Sequence, residues 1–145
     1  MLDTLKIFKQ LKEPFDQRLI HWRPGATTKD NSKCIALAYL NARDVMKRLD
    51  DVCGLDWQCR YPFEGCCEIG IKSDEGWVWR ANGAGETAIE AIKGQYSQAF
   101  VRAGACWGIG RYLYYLENKW VEMDQYKKII NPPELPKWAL PSTGE

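Results

Sequence analysis

The stretch Glu86-Thr-Ala-Ile-Glu-Ala-Ile-Lys-Gly-Gln-Tyr-Ser-Gln-Ala-Phe-Val-Arg-Ala-Gly-Ala-Cys-Trp-Gly-Ile-Gly-Arg-Tyr-Leu-Tyr-Tyr115 decides the fold. Its apolar residues Ile89, Ile92, Tyr96, Phe100, Ala103 and Trp107 recur at intervals of three and four. At roughly 100° per residue they share one arc of about 120°, so the spacing predicts an amphipathic helix of about five turns. Lys93 and Arg102 flank this arc from opposite edges, from which both reach toward one surface. The far side is not the usual charged face; it carries Gly94, Ser97, Gln98, Val101, Gly104, Ala105 and Gly108. Glycine inside a helix costs about 1 kcal/mol relative to alanine, and small residues let a second backbone approach closely. Two readings share that face: burial on both sides within one domain, or a subunit contact through Gly94, Val101, Gly104 and Ala105.

Upstream, three runs read as strands. Leu55, Trp57, Cys59, Tyr61 and Phe63 alternate with polar residues, as do Cys67, Ile69 and Ile71, and Trp77, Trp79 and Ala81 alternate with Val78 and Arg80. Ser73-Asp-Glu-Gly76 is a hairpin turn signal between the last two. The pattern predicts an antiparallel meander with one aromatic face for the long helix to cover. Before it, Lys33-Cys-Ile-Ala-Leu-Ala-Tyr39 reads as a strand. A helix follows from the N-cap Asn41, buries Ala42, Val45 or Met46, Leu49 and Val52 or Cys53, and stops at Gly54. Arg43, Lys47 and Arg48 project from its solvent side, the last two within helical reach of Asp44 and Asp51.

The expected fold is therefore α+β: strand and helix, a three-stranded antiparallel meander, then one long helix packed on the sheet. A short helix over residues 2–12, ended by Pro14, precedes it. Residues 1–125 are expected to form a single domain, with Thr27–Lys33 a polar loop and Lys119–Met123 a short strand. Pro132, Pro133, Pro136 and Pro141 mark residues 126–145 as a proline-rich tail. It is either an arm anchored on a neighbour by Trp138 or a chain end outside the core.

At 145 residues, 46% apolar and 27% charged, the composition is that of one ordinary globular domain. No apolar run approaches the roughly 18 residues of a membrane span, and no signal segment opens the chain. Twenty basic residues face 19 acidic ones, so the net charge of +1 provides no whole-protein footprint for nucleic acid. Such a site has to come from local placement of cations, or from one patch repeated around an oligomer. The six cysteines, Cys34, Cys53, Cys59, Cys66, Cys67 and Cys106, form no C-x-x-C pair, and His21 is the single histidine. Buried reduced thiols fit better than a zinc set. Asn82-Gly-Ala-Gly85 lacks the G-K-[ST] of a phosphate loop, and Gly104, Gly108 and Gly110 lack dinucleotide-fold spacing. No catalytic constellation assembles either, so a binding protein without metal or cofactor is expected.

Four strings resemble, as a set, the signature of the Rad52-type single-strand annealing proteins (the Rad52/22 double-strand break repair family), and most closely their bacteriophage branch. They are Trp77-Val-Trp-Arg-Ala-Asn-Gly-Ala-Gly-Glu-Thr87, Glu90-Ala-Ile-Lys-Gly94, Ser97-Gln-Ala-Phe-Val-Arg-Ala103 and Trp107-Gly-Ile-Gly-Arg-Tyr-Leu-Tyr114. Pro14-Phe15, Trp22-Arg23, Ala38-Tyr39, Ala42-Arg43 and Arg48-Leu49-Asp50 follow the same order, so the resemblance spans residues 14–122. It implies the element order read above and ring-like or helical homo-oligomers. It also implies single-stranded DNA binding and strand annealing in recombination and repair, without ATP or metal. A phage nuclease or a host single-strand-binding protein is the implied protein partner, and the cytoplasm of a bacterial host the implied location.

The resemblance also distributes roles. Arg43 matches the arginine lining the family's inner DNA groove, and Lys93 its lysine in the first half of the long helix. The family's Lys-Arg pair in the second half falls on Val101-Arg102, so one cation is replaced, and Arg80, Lys72 and Arg111 become candidates to compensate. A second reading stays open: an oligomeric accessory protein that binds single-stranded nucleic acid without annealing it.

Overall fold

The computed structural model describes residues 4–83 and 91–142, with side chains in the second stretch from Gln95 onward. Helix α1 (Thr4–Lys12) precedes strands β1 (His21–Thr27) and β2 (Lys33–Tyr39), and helix α2 (Ala42–Cys53) follows. Strands β3 (Trp57–Arg60), β4 (Cys66–Ser73) and β5 (Gly76–Gly83) come next, then helix α3 (Ala91–Cys106) and strand β6 (Trp120–Glu122). Short 3-10 turns occupy Gln17–Leu19, Arg111–Tyr115 and Lys137–Ala139. The chain is α+β, with two three-stranded antiparallel sheets among the described residues where one was expected. It divides into two compact units, Met1–Glu13 with Asn41–Arg111, and Pro14–Leu40 with Tyr112–Glu145.

The first unit holds the sheet β3-β4-β5, in register at Cys59↔Ile69 and Ile71↔Val78 and closed by the Ser73↔Gly76 turn. Ser73 Oγ donates to the Gly76 carbonyl at 2.8 Å, which sets that turn. Period-two alternation sends Cys67, Ile69 and Ile71 of β4 to the inner face, where all three are buried. Helix α3 packs on β4 and β5 and buries Ala99, Phe100 and Ala103. Trp107 Nε1 donates to the Ile69 carbonyl at 2.9 Å in a buried bond that ties the helix end to the central strand. Ile7 and Leu11 of α1 and Val45, Leu49 and Cys53 of α2 complete this core. Each such aliphatic side chain contributes on the order of 1.5–3 kcal/mol on burial.

At Gly104 helix α3 packs closely against α2: a Cβ at this position would stand 2.8 Å from Val45 Cγ1, so a larger residue forces that side chain to shift. The close approach that the small-residue face allows is taken up here by the chain's own α2. The expected start of the long helix, Glu86–Glu90, lies outside the described residues.

The second unit holds the sheet β1-β2-β6, with His21↔Tyr39 and Ile35↔Trp120 in register. Strand β1 was not among the expected strands, and it contains Pro24-Gly25. It forms because β1 is an edge strand, where a residue without an N–H is tolerated, and its register shifts between Pro24 and Thr27. Phe15, Ile20, Cys34, Ala36, Leu40, Leu113 and Met123 are buried in this unit. Tyr112 Oη accepts from the Phe15 N–H at 2.9 Å. The segment expected as a tail contributes to the same unit. Ile129 bridges Met123, Asp124 Oδ1 accepts from the N–H groups of Tyr126 and Lys128, and Ala139 is completely buried.

Candidate nucleic-acid interface

The cations that the sequence singles out fall into two groups. Arg43, Lys72 and Arg102 are exposed, on α2, β4 and α3 respectively. Arg43 lies one helical turn from Lys47, whose Nζ is 2.7 Å from Asp51. Lys72 stands opposite Trp77 in the β4–β5 ladder. Arg102 donates from Nη1 to the Gly83 carbonyl at 2.9 Å, which joins α3 to the end of β5 while the side chain stays exposed. Among the described residues, none of the three is in an ion pair. Of Lys93 and Gly94 only the helical backbone is described.

Arg80 and Arg111 form the second group. Both are half-buried, and both point at the C-terminal end of α3. Arg80 Nη1 donates to the Cys106 carbonyl at 2.7 Å; Arg111 donates from Nη2 to the same carbonyl at 2.7 Å and from Nε to Ala105 at 2.8 Å. The Arg80 guanidinium also lies 5.0 Å from the Phe8 ring centroid and 4.7 Å from that of Trp107. A helix C-terminus carries unsatisfied carbonyls and partial negative charge, so two guanidiniums satisfy it well. These arginines hold the end of the long helix.

Gly104 and Ala105, expected at a subunit contact, are buried within the first unit, and Val101 is half-buried. Arg48, read as a solvated side chain, instead donates from Nη1 to the carbonyls of Gln10, Leu11 and Glu13 and so caps α1. Burial pushes the Cys67 thiol up to about 12 and the Cys53 thiol to about 11. Such thiols stay protonated and supply no nucleophile. Among the described residues no cluster of His, Cys, Asp and Glu is arranged to hold a metal ion. No described helix is long and apolar enough to cross a membrane.

Sequence reasoning missed one feature of the first unit. Arg60 lies with its guanidinium 3.7 Å from the ring centroid of Trp79, and its Nε donates to Glu68 at 2.9 Å. Trp77 adjoins Trp79, with ring centroids 6.1 Å apart. The Trp-x-Trp spacing places both rings on one strand face, but by register it is the face opposite the buried Cys67, Ile69 and Ile71 and not the helix-covered face that was expected; that Arg60 would lie over one of the rings depended on the β3–β4–β5 register.

A family model described as "Rad52/22 family double-strand break repair protein" matches residues 3–62. Across 144 residues the chain is 35% identical to the protein named "Single-stranded DNA-binding protein DdrA" of Deinococcus deserti, covering 92% of this chain and 69% of that one. The protein of the same name from Deinococcus radiodurans is 32% identical over 144 residues, covering 92% of this chain and 67% of its own length. No solved structure gives a significant match. The chain therefore belongs to the Rad52/22 family of double-strand break repair proteins.

Proposed function

We propose that this protein binds single-stranded DNA and anneals complementary strands during double-strand break repair, acting as a homo-oligomer without ATP. The observation that carries the reading is similarity over 92% of the chain to two proteins named as single-stranded DNA-binding. Arg43, Lys93 and Arg102 contact phosphates, with Lys72 as a further cation. Contact of this kind is blind to sequence and leaves base edges free for a second strand. A net charge of +1 cannot hold a polyanion by itself, so affinity comes from repeating a few contacts along an assembly. It falls steeply with salt as counterions are released.

Fluorescently labelled complementary oligonucleotides, mixed with the protein in the absence of ATP, test this directly. Pairing faster than the spontaneous rate is expected. The names of the relatives speak of binding alone, which favours a second reading, a single-strand-binding accessory protein without annealing activity. Strands that are bound yet pair no faster than in buffer would establish that second reading. Light scattering decides the assembly: a particle of 16.7 kDa, the mass of one chain, removes the homo-oligomer.

A further inference from the structure

The outer face of the sheet β3-β4-β5 is unlike an ordinary solvated strand face. By register, Arg60, Glu68, Gly70, Lys72, Trp77 and Trp79 share it, opposite the buried Cys67, Ile69 and Ile71. Its floor is flat for a specific reason. A Cβ at Gly70 would meet three carbons of the Trp79 ring at 2.8–2.9 Å, so the ring lies directly on the strand only because residue 70 is glycine. The Arg60 guanidinium lies 3.7 Å from the centroid of that ring, held there by Glu68. Trp77, 40% exposed, extends this layer, with exposed Lys72 across the ladder from it.

We infer that this face is a base-stacking subsite for single-stranded DNA, with a base on Trp77 and the adjoining phosphates on Lys72 and Arg60. The inference rests on the single-strand reading above and names a part of the site that reading leaves unassigned. The chemistry is complementary. Glu68 takes the Nε donor of Arg60, and among the described residues the terminal nitrogens of that guanidinium carry no other bond. Two cations against one already paired carboxylate leave the face positive. A tryptophan ring accepts any base, since every base has a π-face, and stacked guanidinium planes serve the same purpose. The underlay of Trp79 on Gly70 makes the platform rigid before a strand arrives, so little side-chain entropy is lost on binding.

The test uses the whole chain and the fluorescence anisotropy of a labelled oligothymidylate. Trp77→Ala is expected to weaken binding roughly five-fold or more, while Trp77→Phe, which can still stack, retains most of the affinity. Lys72→Ala is expected to weaken binding and flatten its salt dependence, by about 0.7 in the log–log slope for one single-strand phosphate. Trp77→Ala is expected to leave that slope unchanged. Wild-type affinity in Trp77→Ala, alongside weakened binding in Arg43→Ala and Arg102→Ala, overturns the subsite and leaves the single-strand reading standing. Smaller particles in light scattering for Trp77→Ala and Trp77→Phe alike overturn it in favour of a contact between copies of this chain. A wild-type protein that leaves the oligonucleotide free overturns both readings at once.

Discussion

Arg80 and Arg111 converge on a single atom. The carbonyl oxygen of Cys106 accepts from Arg80 Nη1 and from Arg111 Nη2, each at 2.7 Å. One arginine comes from the third strand of the sheet and the other from just beyond the helix, so the pair clamps the end of α3 from two directions. Charge-assisted hydrogen bonds contribute roughly 1.5–3 kcal/mol each. Either single alanine variant is expected to destabilise the protein by about that much, and the double variant by more than the sum. The excess arises because the first deletion leaves Cys106 one donor and the second leaves it none. Urea unfolding with an unchanged slope checks this. At temperatures where each variant is folded, its single-strand affinity is expected to match wild type.

Gly104 and Val45 provide a second test. With a Cβ only 2.8 Å from Val45 Cγ1, Gly104→Ala is expected to cost about 1–3 kcal/mol through overpacking. Adding Val45→Ala should recover part of the loss, because it removes the atom that the new methyl group meets. Thermal melts of the two variants measure it. A Gly104→Ala protein of wild-type stability but reduced particle mass would return this position to an interface between subunits.

Arg43→Ala and Arg102→Ala are expected to weaken single-strand binding and to lower the salt slope by about 0.7 for every phosphate the variant no longer neutralises. Both side chains are exposed, so melting temperatures should move little for Arg43→Ala. Arg102→Ala also gives up its bond to the Gly83 carbonyl, a modest further cost. Unchanged binding in both variants would falsify the phosphate groove.

Cys53 and Cys67 predict a pH dependence. Burial, with the nearby Asp56, raises the Cys53 thiol to about 11; burial, with the nearby Cys59, raises Cys67 to about 12. In the unfolded chain both return to the ordinary value of 9.0. Between those values the unfolded state binds fewer protons than the native state, so stability falls as pH rises. Their contribution is complete below about pH 9 and diminishes through 11 and 12. Unfolding followed from pH 8 upward should show the loss, and Cys53→Ala with Cys67→Ala should flatten it. At pH 8 a maleimide should leave both thiols unlabelled until denaturant is added.

How much was legible follows from which interactions are local. The spacing of Val45, Leu49 and Cys53 and the alternation around Ile69 and Ile71 report on the residues' own helix and strand, and α2 and β3 to β5 appear where that spacing puts them. Strand β1 was not among the expected strands; it contains Pro24-Gly25, which an edge strand tolerates, and edge position depends on where β2 and β6 pair. Ala139 was assigned to a tail because prolines surround it. It is nevertheless completely buried.

The amino-acid order by itself determined the α+β class and the positions of α2 and of strands β3 to β5 along the chain. These depend on period, turn chemistry and residue type, all of which act over a few positions. Only the tertiary structure placed each arginine against its partners. A guanidinium donates to a phosphate or to a helix-end carbonyl, since both present oxygen acceptors, the first with full and the second with partial negative charge. Proximity chooses between them: Arg80 and Arg111 lie within 2.7 Å of Cys106, and Arg48 within 2.7 Å of Glu13. Arg43 and Arg102 remain exposed. On the small face of the long helix, Gly104 packs against Val45 of the same unit, as the within-domain reading of that face expects.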